Sequence, residues 1–225
     1  MLSGPISPEL WWRWLCITNR LNANTLKIYL LRKKKVNKVD KREEIVLCVF
    51  INPGHDRLVD PGAVSPNGVC EADIVWDVGV ILEKLLVDAG VKVIDVFQDD
   101  DLAEVCAYAN QSKANLFISI HCNAAGSRQA SGTESFVWQA NNEASKFAEC
   151  VQKQICGSLK TIDRGVKTAN FYVLKNTDMP ACLIELAFLS NEWDEQQLRY
   201  RQEDFAAAIA RAVTDYQLIL RGENE

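Results

Sequence analysis

Two histidines and two glutamates are the residues of this chain whose types and positions could do chemistry together. His55 follows the apolar run IVLCVFIN within the segment NPGHD, and His121 ends the apolar run NLFISIH. Glu71 opens an amphipathic segment, and Glu185 interrupts the apolar run ACLIELAF. Neutral imidazole is the commonest metal ligand among side chains, and two histidines with one carboxylate can form an open catalytic zinc site. The chain has no other histidine.

These residues predict a zinc-dependent hydrolase. We expect His55, Glu71 and His121 to bind one Zn²⁺ per chain. A carboxylate on an apolar strand needs a partner, a metal or a catalytic role. Glu185 is therefore the predicted general base, which takes a proton from a zinc-activated water and passes it to the leaving nitrogen.

Other roles for the same residues stay open at this point. Glu71 could be a carboxylate that is stabilised by a helix N-terminus, and Glu185 could belong to a buried ion pair. A cysteine hydrolase would pair Cys122 with His55, because residues adjacent on a strand, such as His121 and Cys122, point to opposite faces. A glycosidase built on the two glutamates would leave both histidines without a role.

The alternation of strands and helices from residue 45 onward must position these side chains. Apolar runs predict buried strands at 44–52, 91–97, 115–121, 132–138, 170–175 and 181–188. Helical periodicity predicts helices at 71–89, 101–111 and 142–159, one that begins near 191, and one at 203–220. This order favours an α/β fold, with a mostly parallel twisted sheet of about six strands flanked by helices on both faces. Ligands of such sheets bind at the carboxyl ends of the strands, where both histidines lie.

Composition separates the chain into two parts. The net charge of -5 argues against nucleic acid as the main partner. Residues 1–44, however, hold ten Lys and Arg against four Asp and Glu, together with three tryptophans. We predict an N-terminal extension at 1–44 and a catalytic domain at 45–221. Basic runs are usually solvated, which favours a helical or partly disordered extension packed loosely on the body, and contact with a wall or membrane surface is the alternative. No apolar stretch is long enough for a transmembrane span, and no clear signal peptide is visible.

The eight cysteines form no CxxC pair, so a cysteine zinc cluster is not expected. Several of them lie within apolar runs, as Cys48 and Cys182 do. Free cysteine behaves as a small hydrophobic residue in such positions, and the pattern is typical of a protein made in a reducing compartment.

Four separated motifs in this chain resemble those of the zinc-dependent N-acetylmuramoyl-L-alanine amidases of the type 3 family. The motifs are INPGHDRLVDPGAVSPNGVCEADI, ANQSKANLFISIHCNAA, DRGVKTANFYVLKNTDMPACLIELAFLSN and the closing amphipathic helix. The resemblance implies hydrolysis of the amide bond between the muramic lactyl group and L-Ala of the peptidoglycan stem peptide. It also implies the zinc ligands and the catalytic glutamate named above, with substrate contacts by Asn123, Arg164 and Asn170.

The chain departs from the family pattern at three places. Asp56 stands where the family has glycine after the first histidine, Phe97 and Gln98 replace a Thr-Arg pair, and the next helix has Val105 and Cys106 where arginine is usual.

A peptidoglycan-binding or regulatory module without activity is the alternative function. The expected protein is a monomer that acts in the cell wall or periplasm. The lack of a clear signal peptide fits a phage-type lysin that stays cytoplasmic until its release, and it also fits a bacterial enzyme with an atypical leader.

Overall fold

The apolar runs of the sequence form the strands of one six-stranded sheet. The computed structural model describes residues 46–223. The strands are β1 (Cys48–Pro53), β2 (Lys92–Val96), β3 (Leu116–Asn123), β4 (Thr133–Val137), β5 (Asp163–Thr168) and β6 (Ala181–Phe188). Their order across the sheet is β2-β1-β3-β6-β4-β5. Neighbouring strands are parallel except for β4, which runs antiparallel to β6. The predicted mostly parallel α/β sheet is confirmed.

Helices cover both faces of this sheet. They are α1 (Glu71–Asp88), α2 (Leu102–Gln111), α3 (Glu143–Leu159), α4 (Tyr172–Asn176), α5 (Glu192–Tyr200) and α6 (Gln202–Arg221). Side-chain caps mark where three of them begin: Asp101 caps α2, Asn142 and Ser145 form a capping box on α3, and Asn191 caps α5. Each cap satisfies amide groups that have no partner within the helix.

Side-chain alternation along the strands builds a separate apolar core on each face. In β1, Val49 and Ile51 belong to the core that α1, α3 and α6 cover, whereas Phe50 packs with Val105 and Phe117 on the opposite face, under α2 and α4. Because successive residues of a strand point to opposite sides, a strand buried on both faces is a continuous apolar run. This explains why β1, β3 and β6 were visible in the sequence.

The expectation of a strand at 170–175 is wrong. Residues Tyr172–Asn176 form the short helix α4, and the strand in this part of the chain is β5. A run of four apolar or aromatic residues is too short to separate a strand from a helical turn by its periodicity. β5 is an edge strand that pairs only with β4 and is largely exposed, so it carries charged residues and a glycine instead of an apolar pattern.

The predictions for residues 1–44 lie outside the described residues, and the extension, its surface contact and the domain boundary stay predictions. Between residues 46 and 223, no helix is both long enough and apolar enough to cross a membrane.

Candidate metal centre and active site

The candidate site lies on one face of the sheet, at the carboxyl ends of its central strands. His121 and Glu185 are direct register partners on β3 and β6, and Glu134 on β4 is the partner of Glu185 from the other side. By strand alternation, His121 and Glu185 share a face with Phe117. Cys122 instead packs into the core of the opposite face. The strand ends therefore bring two of the predicted residues together.

His55 is held by a tight turn after β1. Its backbone has φ 64°, a left-handed conformation that only a minority of non-glycine residues adopt. The turn is closed by paired backbone hydrogen bonds between Asp56 and Asp60, and the Asp56 carboxylate accepts from the amides of Leu58 and Val59. Asp60 then accepts a 2.7 Å hydrogen bond from His55 Nδ1. This contact directs Nε2 of His55 toward the site.

Glu71 is the buried centre of the cluster, with only 3% of its surface exposed. It is the first residue of α1, where the helix dipole favours a carboxylate. Its Oε2 accepts from the amide of Ala63 and lies 3.1 Å from His55 Nε2. Its Oε1 accepts from the amide of Cys122 and lies 3.0 Å from His121 Nδ1. The carboxylate therefore reaches across to both histidines, which a role in the helix alone would not require.

His121 is oriented from behind by a chain of hydrogen bonds. Ser119 donates to the side-chain oxygen of Asn52 at 2.9 Å, so its oxygen can accept from His121 Nε2 at 3.2 Å. Asn52 in turn donates to the carbonyl of Phe97. With Nε2 held by this contact, His121 presents Nδ1 to the site, on the same side as Glu71.

The donor set suits a zinc ion. One ligand atom from each of His55, Glu71 and His121 lies within 4.8 Å of the others. Two imidazoles and a carboxylate are ligands that zinc accepts, and three protein ligands leave a position open for water or substrate. The outer hydrogen bonds from Asp60 and Ser119 orient the imidazoles in the way that metal-binding histidines usually require.

Hydrogen bonds among these side chains shift their pKa values. The hydrogen bond to Glu71 raises the pKa of His55 to about 9 against the opposing effect of burial, and Asp60 adds to the rise. Burial opposes ionisation of Glu71, but hydrogen bonds from His121 and His55 outweigh it and lower the pKa of this carboxyl well below its ordinary value. Glu71 is therefore an anion at neutral pH, as a metal ligand must be.

Two glycines give the imidazoles their space. A Cβ atom at Gly54 would overlap the ring of His121. A Cβ atom at Gly62 would come within 2.7 Å of both the His55 ring and the Glu71 carboxylate. The segment NPGH therefore needs glycine because the second histidine packs directly against its backbone.

Glu185 is a desolvated carboxylate beside the metal ligands. Its Oε2 is buried and has no hydrogen-bond partner among residues 46–223. Burial raises the pKa of Glu185 to about 7; His121 opposes this rise, and the carboxylates of Glu71 and Glu134 add to it. A base whose pKa lies near the working pH can both accept and return a proton, so the environment suits general acid–base catalysis. The buried ion pair considered as an alternative role is absent among the described residues.

Glu134 is a residue of the candidate site that the sequence reasoning missed. It is 5% exposed and accepts from Asn123 at 2.6 Å and from Arg164 at 2.9 Å, and it also pairs with Lys167. Burial disfavours its ionised form, but Lys167 and Arg164 overcome this effect and lower its pKa. Asn123 and Arg164, two of the predicted substrate-binding residues, are thus fixed beside the site by one carboxylate. The sequence feature that could have revealed Glu134 is its charge within the alternating pattern of the predicted strand GTESFVW.

Asn170 is not part of this cluster. It is exposed in the connection between β5 and α4. Its predicted substrate contact stays a prediction.

The cysteine-hydrolase alternative finds no geometry to support it. Cys122 is 3% exposed, and burial raises the pKa of its thiol well above the ordinary value. Its backbone amide, not its thiol, reaches the cluster.

Two departures from the family pattern have structural roles. Gln98 donates to the carbonyls of Gly54 and Ala72, so it ties the first histidine loop to α1. Val105 and Cys106 are buried with Phe50 and Phe117. Apolar packing therefore occupies the position where the family usually has arginine.

Comparison with known proteins shows the family of this chain. Residues 49–215 match the Amidase_3 family, described as N-acetylmuramoyl-L-alanine amidase. The amidase LytC of Bacillus subtilis (strain 168) is 36% identical over 173 residues, which cover 74% of this chain and 34% of LytC. The endolysin of Bacillus phage SPP1 is 32% identical over 170 residues, which cover 72% of this chain and 61% of the endolysin. The chain therefore spans only part of the length of these two relatives.

Solved structures agree with the sequence match. The amidase AmiC2 of Nostoc punctiforme superposes with a TM-score of 0.70 at 29% identity, covering 76% of this chain and 96% of that one. The family match over residues 49–215 includes all six strands except the first residue of β1, together with both histidines, Glu71 and Glu185. This chain belongs to the Amidase_3 family of N-acetylmuramoyl-L-alanine amidases.

Proposed function

We propose that this protein hydrolyses the amide bond between the muramic lactyl group and L-Ala of the peptidoglycan stem peptide. The observation that carries the proposal is the convergence of His55, Glu71 and His121, whose ligand atoms lie within 4.8 Å of one another beside the buried carboxylate of Glu185. Membership of the amidase family supports the same reaction.

The proposed cofactor is one Zn²⁺ per chain, held by His55, Glu71 and His121. When bound, zinc supplies Lewis-acid chemistry that acidifies water and polarises the scissile carbonyl. Glu185 removes a proton from the attacking water and returns it to the leaving nitrogen, so that the C–N bond breaks to a lactyl carboxylate and a free amine. The hydrogen bonds that hold both imidazoles and Glu71 support this arrangement, because they orient the ligands before any ion arrives.

Substrate contacts are proposed for the polar side chains beside Glu185. Asn123 and Arg164 are both tied to Glu134, so they offer a fixed amide and a fixed cation at the edge of the site. Asn170 is proposed to contact a more distant part of the substrate from its exposed loop.

Release of stem peptides from purified peptidoglycan tests the proposal. The wild-type protein should produce free muramic lactyl carboxylates and free L-Ala amines, identified by mass. Both products should vanish with a chelator and with Glu185→Ala, while Glu104→Ala, which alters an exposed carboxylate on α2, should retain activity. Cleavage that ignores the chelator would exclude zinc. A folded, zinc-loaded protein that cleaves nothing would favour the binding-module alternative.

We further propose that the protein acts on the wall as a monomer and that residues 1–44 assist its attachment there. The ten basic residues and three tryptophans of this segment support the attachment role. A protein lacking residues 1–40 should keep its fold and its zinc but sediment less with purified cell walls. Loss of soluble folding in this truncation would contradict the separation into two parts.

A further inference from the structure

A groove of about 780 Å³ lies apart from the metal centre, and none of the four residues of the candidate active site lines it. Its lining includes an exposed aromatic ring, several amide side chains and a buried carboxylate. The residues used below are Asn67, Gln129, Trp193, Glu195 and Gln196.

The residues that line the groove lie in segments next in sequence to the elements that carry the active-site residues. Asn67 lies in the loop that leads into Glu71, and Gln129 lies in the connection after β3, which carries His121. Trp193 lies on α5, directly after the strand that carries Glu185. Strands that end side by side place the loops that follow them at the same edge of a sheet. The groove therefore lies at the same edge of the sheet as the active site.

The groove is built on a buried polar contact. Glu195 is 3% exposed, and its Oε2 accepts a 2.8 Å hydrogen bond from the amide nitrogen of Asn67. Its Oε1 forms an ion pair with Arg199 on the same helix, whose guanidinium nitrogen lies 3.6 Å away. Both oxygens of the buried carboxylate therefore have a partner. The contact holds Asn67 with its amide oxygen still available to a ligand.

Trp193 adds an apolar surface to these polar groups. It is 65% exposed, although a large aromatic side chain gains most from being covered. Gln129 and Gln196 lie near it in the lining, and their amides offer both donors and acceptors. A flat aromatic face beside amide groups suits a pyranose ring, whose C–H face is apolar and whose edge carries hydroxyl and amide groups.

The charges of the lining favour a sugar over a peptide. The charged side chains are those of Arg128, Glu192 and Glu195, so the groove has no net positive charge to attract the carboxylates of a stem peptide. Sugar hydroxyl and acetamido groups need no such charge. We propose that this groove is a subsite for a sugar ring of the glycan strand; the identity of the strand rests on the proposed function.

Binding of peptide-free glycan strands, prepared from peptidoglycan, tests the subsite. Calorimetry should show that wild-type protein binds these strands and that Trp193→Ala weakens binding at least about tenfold. Trp193→Phe, which keeps an aromatic face, should retain more of the affinity than the alanine variant. Tyr200→Ala is the matched control, because Tyr200 is 73% exposed at the far end of the same helix and outside the groove.

The outcomes separate this inference from the proposed reaction. Glycan binding by Glu185→Ala that still depends on Trp193 would support the subsite even if the wild-type protein cleaved nothing. Two results with an active enzyme would overturn the subsite and leave the amidase proposal standing. One is no measurable glycan binding, and the other is equal binding by wild type and Trp193→Ala. Free stem peptides that bind in a Trp193-dependent way, where glycan strands do not, would also overturn it.

Discussion

Replacing Glu185 with glutamine should stabilise the metal-free protein while it removes the catalytic base. Glu185 lies on β6 with a buried Oε2 that has no hydrogen-bond partner among residues 46–223. Burial raises its pKa from the ordinary 4.5 to about 7. Ionisation of this side chain therefore destabilises the folded, metal-free protein. Glutamine cannot ionise and so avoids this cost.

The size of the effect follows from the pKa and depends on pH. Between pH 4.5 and about 7 the folded state holds a proton that the unfolded state has lost, so stability falls as pH rises through this window. Above it both states are ionised, and the folded state carries the full cost of about 3 kcal/mol, at about 1.36 kcal/mol for each pH unit between the two pKa values. Below it both states are protonated, and Glu185→Gln should change little.

Urea unfolding in the presence of a chelator measures this difference. The free energy of unfolding of Glu185→Gln, relative to wild type, should rise from less than about 0.5 kcal/mol at pH 4.5 to about 3 kcal/mol at pH 8. Glu104→Gln, an exposed carboxylate on α2, is the matched control and should stay within about 0.5 kcal/mol. An equal effect at both pH values, or destabilisation at pH 8, would refute the argument that Glu185 is desolvated.

Three further predictions concern the metal and its surroundings. Gly54→Ala should weaken zinc binding at least about tenfold, because its Cβ would overlap an imidazole, whereas Gly157→Ala, with open space on α3, should bind zinc as wild type does in a calorimetric titration. Because the pKa of His55 is about 9 without metal, zinc must displace a proton near neutral pH; affinity should rise about tenfold per pH unit from 6 to 8, and a flat profile would contradict this. Glu134→Gln should lower kcat/KM at least about tenfold with zinc content unchanged, and unaltered kinetics would show that its contacts serve the fold alone.

The residues that converge at the candidate site could be predicted from the sequence, but those that orient them could not. His55 and His121 stood at the ends of apolar runs, where a strand must end, so their meeting followed from sheet geometry alone. Glu134 was hidden because β4 pairs antiparallel with β6, a long-range choice that no local pattern reveals. Asp60 was hidden for a different reason: its contact depends on the left-handed turn at His55.

The same limit explains the error at residues 170–175. The central strands are buried on both faces, and their hydrophobicity shows them directly. β5 is an edge strand whose side chains are mostly solvated, so DRGVKT has no apolar rhythm to detect. The nearby segment NFYVLK has apolar residues, but Val173 and Leu174 pack on the sheet from the helix α4 instead of pairing within it. The apolar residues of this segment correctly indicated that it packs against the sheet. Whether its backbone pairs as a strand depends on tertiary contacts, which the local sequence does not show.

The active site combines several locally unfavourable features on a well-packed frame. His55 has a left-handed backbone, Glu185 has a buried oxygen without a hydrogen bond, and Glu71 is an almost fully buried anion. Features of this kind cost roughly 1–3 kcal/mol each and persist only where the surrounding structure holds them. Here the surroundings are strands with apolar cores on both faces. Within the cluster, both imidazoles contact the carboxylate of Glu71, at 3.1 Å from His55 and 3.0 Å from His121. These contacts and the packed strands together fix the relative positions of the three proposed ligands.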